Sequence, residues 1–183
     1  MGGPSRGTGR TAAPALAVLA MAAALGLASC GDDTTGPART VDHRQVEGLL
    51  MQRQAERNPR IRVESASCPE GVVARQGTNF ECRLVVEGQT ARFTVTVSEV
   101  LGTRVRYDIR ARQAIVDVAG VVDFVRSRLE GPWREALVDC GRQSARVVEV
   151  GGVIDCAVAD GLTTRRVQAV VEDLDGTFSL RER

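Results

Sequence analysis

The chain has 183 residues with 24 Lys plus Arg, 23 Asp plus Glu and a formal charge of +1, and all of its basic residues are arginine. A near-neutral balance gives no footprint for nucleic-acid binding, and the absence of lysine excludes a P-loop lysine, a Schiff-base lysine and pyridoxal-phosphate chemistry. Hydrophobic residues make up 43% and aromatics only 3%, so a core must be built from Val, Leu, Ile and Ala, a composition that favours strands where Val is dense.

The N-terminus reads as an address. Arg6 and Arg10 form a positive start, and Ala12 to Leu27 is an apolar, Ala-rich run too short for a membrane span of roughly twenty residues. It ends Leu27-Ala28-Ser29-Cys30 before Gly31-Asp32-Asp33. This resembles the bacterial lipobox, in which a cysteine preceded by small residues receives a diacylglycerol. The resemblance implies a signal peptide over residues 1–29, a lipidated Cys30, and a protein anchored through its lipid to the outer face of the cell membrane. Residues 30–40 then read as the acylated cysteine and a polar tether. Ten extended residues reach about 33 Å, which keeps the first folded unit close to the membrane.

The remainder carries an internal repeat of roughly seventy residues, 41–112 and 113–183. Each copy opens with a helix. In the first, Asp42 is the expected N-cap with Gln45 as its partner, and Asn58-Pro59 is the stop. In the second, Val118, Val121, Val122, Val125 and Leu129 form a helical stripe that ends at Gly131-Pro132. A cysteine follows each proline, Cys68 and Cys140. A second closes a Gly-x-x-apolar-acid-Cys motif: Gly77 to Cys82, then Gly151 to Cys156. An acid-Gly turn comes next, Glu87-Gly88 and Asp160-Gly161, which signals a hairpin. Alternation then sets Phe93, Val95 and Val97 against Arg92, Thr94, Thr96 and Ser98. It also sets Val105, Tyr107 and Ile109 against Arg104, Arg106, Asp108 and Arg110. Val167, Ala169 and Val171 repeat the pattern, followed by Phe178 and Leu180. The expected fold is α+β: two tandem units, each one helix packed on an antiparallel sheet of about four strands, with one disulfide per unit.

Beyond Cys30 four cysteines remain, and four allow three pairings. The repeat makes Cys68–Cys82 and Cys140–Cys156 the simplest, and an exported chain meets oxidising conditions. The spacing lacks the tight pairs of zinc sites, and the only histidine, His43, stands at a helix start. No metal and no cofactor are therefore expected.

From the lipobox through the first helix, Cys68-Pro69, Gly77-Thr78-Asn79-Phe80-Glu81-Cys82, Val85-Val86-Glu87-Gly88-Gln89-Thr90 and the Val/Thr strand, the chain resembles the actinobacterial lipoprotein domain of unknown function 4333. The likeness is best over Val46 to Ile109. The second copy is more diverged, with Gly141 where the first has Pro69. The resemblance implies an envelope location and a structural disulfide, and it carries no activity or catalytic residues to transfer.

No catalytic constellation stands out, so an enzyme is not expected. His43 beside Asp42 is accounted for by capping. Glu172-Asp173-Leu174-Asp175-Gly176 lacks the bidentate Glu of a calcium loop and reads as a turn. Trp133 is expected in the core at a helix–strand join. Arg62, Arg83, Arg92, Arg104, Arg106 and Arg110 are expected on one sheet face with Glu64, Glu81, Glu87 and Asp108, either as a solvated charged surface or as a binding face for an anionic partner. The first copy carries an excess of arginine and the second an excess of acid, which suits docking of one on the other. The function expected is a non-catalytic binding or scaffolding module of the cell envelope with an unidentified protein or envelope ligand. The alternative is an inhibitor of a secreted enzyme, at the level of architecture alone.

Overall fold

The computed structural model describes residues 39–182. The expected signal peptide, Cys30 and most of the tether lie outside the described residues. Among the described residues the fold is α+β, with antiparallel sheets, two α-helices and two disulfides.

Helix α1 spans His43–Arg57. Asp42 caps it as expected, its carboxylate accepting from Gln45 N–H at 3.2 Å, and Asn58 closes it before Pro59. Four strands follow: β1 (Val63–Ser67), β2 (Asn79–Val86), β3 (Gln89–Leu101) and β4 (Arg104–Ala111), hydrogen-bonded in the order β1-β2-β3-β4. Phe80, Cys82, Leu84 and Val86 of β2 and Ala91, Phe93, Val95 and Val97 of β3 point inward and are buried. With Val46, Leu50 and Ile61 they form the first core. Glu87 and Gly88 both have positive φ, 48° and 71°, which makes the two-residue turn that joins Val86 to its partner Gln89. The register between β3 and β4 slips between Val97 and Glu99, so Ser98 is a bulge.

Two short strands then pair with each other, β5 (Ala114–Asp117) and β7 (Ala145–Val148). Between them come helix α2 (Val118–Ser127), capped by Asp117, a 3₁₀ turn over Gly131–Glu135, and β6 (Leu137–Asp139). The chain closes with β8 (Val153–Ala159), β9 (Thr164–Val171) and β10 (Phe178–Glu182), giving a second sheet ordered β10-β9-β8-β6. Val121 and Val125 of α2 pack with Ile154, Val158, Val167 and Ala169 in the second core. Trp133 also packs against this core, with the Arg165 guanidinium 4.4 Å from its ring centre.

The β5–β7 ribbon was not expected, and it is the wall the two cores share. Ala114, Val116 and Val148 belong to the second core, whereas Ile115, Ala145 and Val147 belong to the first. Strand alternation thus packs both faces of one ribbon, each against a different core. The turn of the first sheet grips this ribbon. The Glu87 carboxylate accepts from Ser144 N–H at 3.0 Å, from Ala145 N–H at 3.4 Å and from the Ser144 hydroxyl. Gln89 donates to Ala145 C=O at 3.0 Å and accepts from Val147 N–H at 3.1 Å. Gln113 accepts from Arg92 N–H and donates to Glu149.

The Ser144 hydroxyl, seconded by the Ala145 and Ser144 N–H groups, holds the Glu87 carboxyl below its ordinary 4.5, with desolvation opposing. A lowered carboxylate pKa means that this contact stabilises the fold above about 4.5 and is lost as pH falls through the lower folded value. In urea titrations the gap between wild type and Glu87→Gln should therefore be widest above that pH and close below it. A gap that does not change with pH would show that the carboxylate contributes nothing to the docking.

Candidate functional site

The outward face of the first sheet carries most of the arginines singled out from the sequence. Cross-strand partners set Arg83 directly opposite Arg92, Glu81 opposite Thr94, and Thr94 opposite Arg110. Arg106 lies opposite Glu99 and Arg104 opposite Leu101. Arg62 stands apart, exposed just ahead of β1. Several of these charges are already matched: Arg106 to Glu99 at 2.9 Å, Arg110 to Asp108 at 3.2 Å and Arg92 to Glu149 at 3.8 Å. Arg62, Arg83 and Arg104 have no ion-pair partner among the described residues. Of the acids expected beside them, Glu87 instead holds the ribbon, and Glu64 accepts from Gly88 N–H at 3.2 Å. Like charges set directly opposite on a sheet are unfavourable. In the Arg83–Arg92 row Arg92 is offset by Glu149, whereas Arg83 has no ion pair.

Each pair of cysteines forms one bond. Cys68–Cys82 and Cys140–Cys156 are joined, with Cα atoms 4.4 and 4.1 Å apart and sequence separations of 14 and 16. Cys82 and Cys156 occupy the same place in their sheets, opposite Phe93 and Val167 on the neighbouring strand.

The acid-rich loops are occupied by their own backbone. Asp173 accepts from Asp175 and Thr177 N–H, and Asp160 from Leu162 and Thr163 N–H. The Thr177 side chain, seconded by its N–H, holds the Asp173 carboxyl below its ordinary 3.8, and the Thr163 and Leu162 N–H groups do the same for Asp160, with desolvation opposing in both; such bonds are local. They also make the Asp160-Gly161 connection a four-residue loop instead of the two-residue turn of Glu87-Gly88. Near Asp42, already committed to capping, His43 Nε2 lies 3.7 Å from Glu70. Among the described residues no cluster of His, Cys, Asp or Glu is arranged to hold a metal.

A cleft that sequence reasoning missed lies between α1 and β4. The helix packs chiefly on β1 and β2. The inward residues of β4 (Val105, Tyr107, Ile109 and Ala111) are therefore only half-buried, while those of β2 and β3 are covered. One hollow, about 290 Å³, has walls of Leu50, Gln54, Phe93, Ile109 and Ala111 with Arg53 and Arg57 at its rim. A second, about 380 Å³, shares Arg53 and runs along Leu49, Val105 and Tyr107. Burial, joined by the nearby Asp42 charge, pushes the Tyr107 hydroxyl above its ordinary 10.0, so it stays protonated.

Gln54 is the unusual member. It is only 6% exposed and the one buried polar residue of the described chain, yet its Nε2 has no hydrogen-bond partner. Leaving such a donor unsatisfied costs about 1–3 kcal/mol. Arg57 is paired with Asp175, whereas Arg53 is exposed and has no ion-pair partner among the described residues. In sequence, Gln54 looks like any glutamine on a helix. Only the turn of α1 that faces the sheet marks it.

The stapled sheet and its helix also carry the likeness of the chain to a known family. Residues 23–102 match the family described as Domain of unknown function (DUF4333). Within the described residues this span takes in α1, β1, β2, β3 and the Cys68–Cys82 bond, and it stops before β4. Residues 113–183 lie outside the DUF4333 match. No curated protein and no solved structure matches the chain.

Proposed function

We propose that the chain is an exported lipoprotein, held at the outer face of the cell membrane by acyl groups on Cys30. Residues 41–112 and 113–183 are two copies of one module that bind or scaffold another envelope molecule without catalysis. The observation that carries this reading is the pair of disulfides. Bonds of this kind persist in oxidising compartments outside the cytoplasm, and small modules depend on them. The lipobox-like Leu27-Ala28-Ser29-Cys30 supplies the anchor. The duplication is supported by three likenesses between the halves. Each helix is capped by an aspartate, each four-stranded sheet is antiparallel, and each has a cysteine at the same register.

Metabolic labelling with palmitate tests the anchor. Wild type is expected to take up label and Cys30→Ser to take up none; equal labelling of the two would refute it. Cross-linking in the intact envelope tests the binding role, which fails if nothing is enriched over a control protein carrying the same anchor. A second reading, inhibition of a secreted enzyme, rests on Leu101, 52% exposed at the β3–β4 turn. It predicts that the cross-linked partner is a hydrolase and that Leu101→Asp abolishes its capture.

A further inference from the structure

The two halves fill the space beside their helices differently. In the second, α2 reaches β10, and Phe124 meets Phe178 with ring centres 5.6 Å apart. Leu129, as far from the capping Asp117 as Gln54 is from Asp42, is buried in that core. In the first half the place of Phe124 is taken by Leu49, and that of Leu129 by Gln54. Tyr107 stands opposite Val97 as Phe178 stands opposite Val171. An apolar closure in one half is thus an open, apolar-walled cleft in the other, with a buried amide donor in its wall and guanidinium groups at its rim.

We propose that this cleft binds the carboxylate and acyl chain of a fatty-acid-like anion. The carboxylate supplies the acceptor that Gln54 Nε2 lacks and a negative charge for Arg53, since the neighbouring Arg57 is already paired with Asp175. The chain lies along Ile109, Tyr107 and Val105 beneath Leu49 and Leu50, surfaces that gain by leaving water. A hollow of about 290 Å³ is at the lower end of ligand-site volumes, roughly 300–1,000 Å³, so a medium-length chain fits better than a diacyl lipid. This deepens the binding reading by naming a ligand class.

The test is calorimetric titration of the purified full chain, carrying Cys30→Ser so that no acyl group of its own competes, with decanoate and with decan-1-ol. Decanoate should bind, and the uncharged alcohol should bind about tenfold more weakly. Gln54→Leu, which copies the second half, and Arg53→Gln should each weaken decanoate by about tenfold or more. Arg181→Gln, on exposed β10, should leave it unchanged. Gln54→Leu should melt no lower than its parent, which separates loss of the site from loss of the fold. Absence of decanoate binding, or binding undiminished in both Gln54→Leu and Arg53→Gln, overturns the proposal. A failed titration leaves export and anchoring standing, and a failed cross-linking experiment leaves the cleft standing.

Discussion

Replacing Cys68 and Cys82 together with alanine is expected to lower the unfolding free energy by about 3 kcal/mol, the loop-closure entropy of a bond spanning some fifteen residues. The separation here is 14 residues, and the bond ties the loop after β1 to the middle of β2, where Cys82 is fully buried. For a chain of this size the loss corresponds to a fall in melting temperature of about 6–12 °C. Cys140→Ala with Cys156→Ala should cost a similar amount, since its bond spans 16 residues. Differential scanning calorimetry under non-reducing conditions gives both values. A double variant that melts with wild type would show that the staple adds nothing to a core that is already sufficient. With six aromatic residues in 183 and valine as the main core residue, such sufficiency is not expected.

The second large effect is Leu84→Ala. Leu84 has 0% exposure at the centre of the first core, and truncation of such a residue costs about 2–5 kcal/mol through lost burial and the cavity left behind. The consequence should not stop at the first sheet. Trp133, the only tryptophan, packs against the second core and reports on that half alone. Because the β5–β7 ribbon contributes side chains to both cores, and Glu87 and Gln89 hold it, the halves should unfold together. The urea midpoint followed by Trp133 fluorescence should move down with the midpoint followed by far-ultraviolet circular dichroism. A Trp133 midpoint left at the wild-type value would mean that the halves are energetically separate despite the shared wall.

Much of this fold could be read from the residues. Asp42 and Asn58-Pro59 bracket α1 because capping and the X-Pro restriction are local chemistry. Phe93, Val95 and Val97 declare their face because a one-sided sheet writes period two into its sequence. The cysteine pairing followed from the recurrence of one motif. The ribbon escaped for the opposite reason. Ala114-Ile115-Val116 and Ala145, Val147 and Val148 put apolar side chains on both faces, one covered and the other partly so, and therefore show no polar alternation and are too short to stand out as strands. Arg83 and Arg92 could be assigned to one surface by alternation. That they stand directly opposite depends on register, which is set by the Glu87-Gly88 turn. Gln54 and the cleft were hidden because they arise from how far α1 reaches across the sheet, a tertiary distance that no local pattern encodes.

Export to, and anchoring in, a compartment outside the cytoplasm is what we propose for this chain. Peptide mass spectrometry of the protein taken from its native envelope without reduction tests it in one measurement. The account predicts a mature N-terminal peptide that begins at Cys30 and carries the mass of a diacylglyceryl group, with Cys68 linked to Cys82 and Cys140 to Cys156. An unprocessed peptide ahead of Cys30, together with four free thiols, would contradict it.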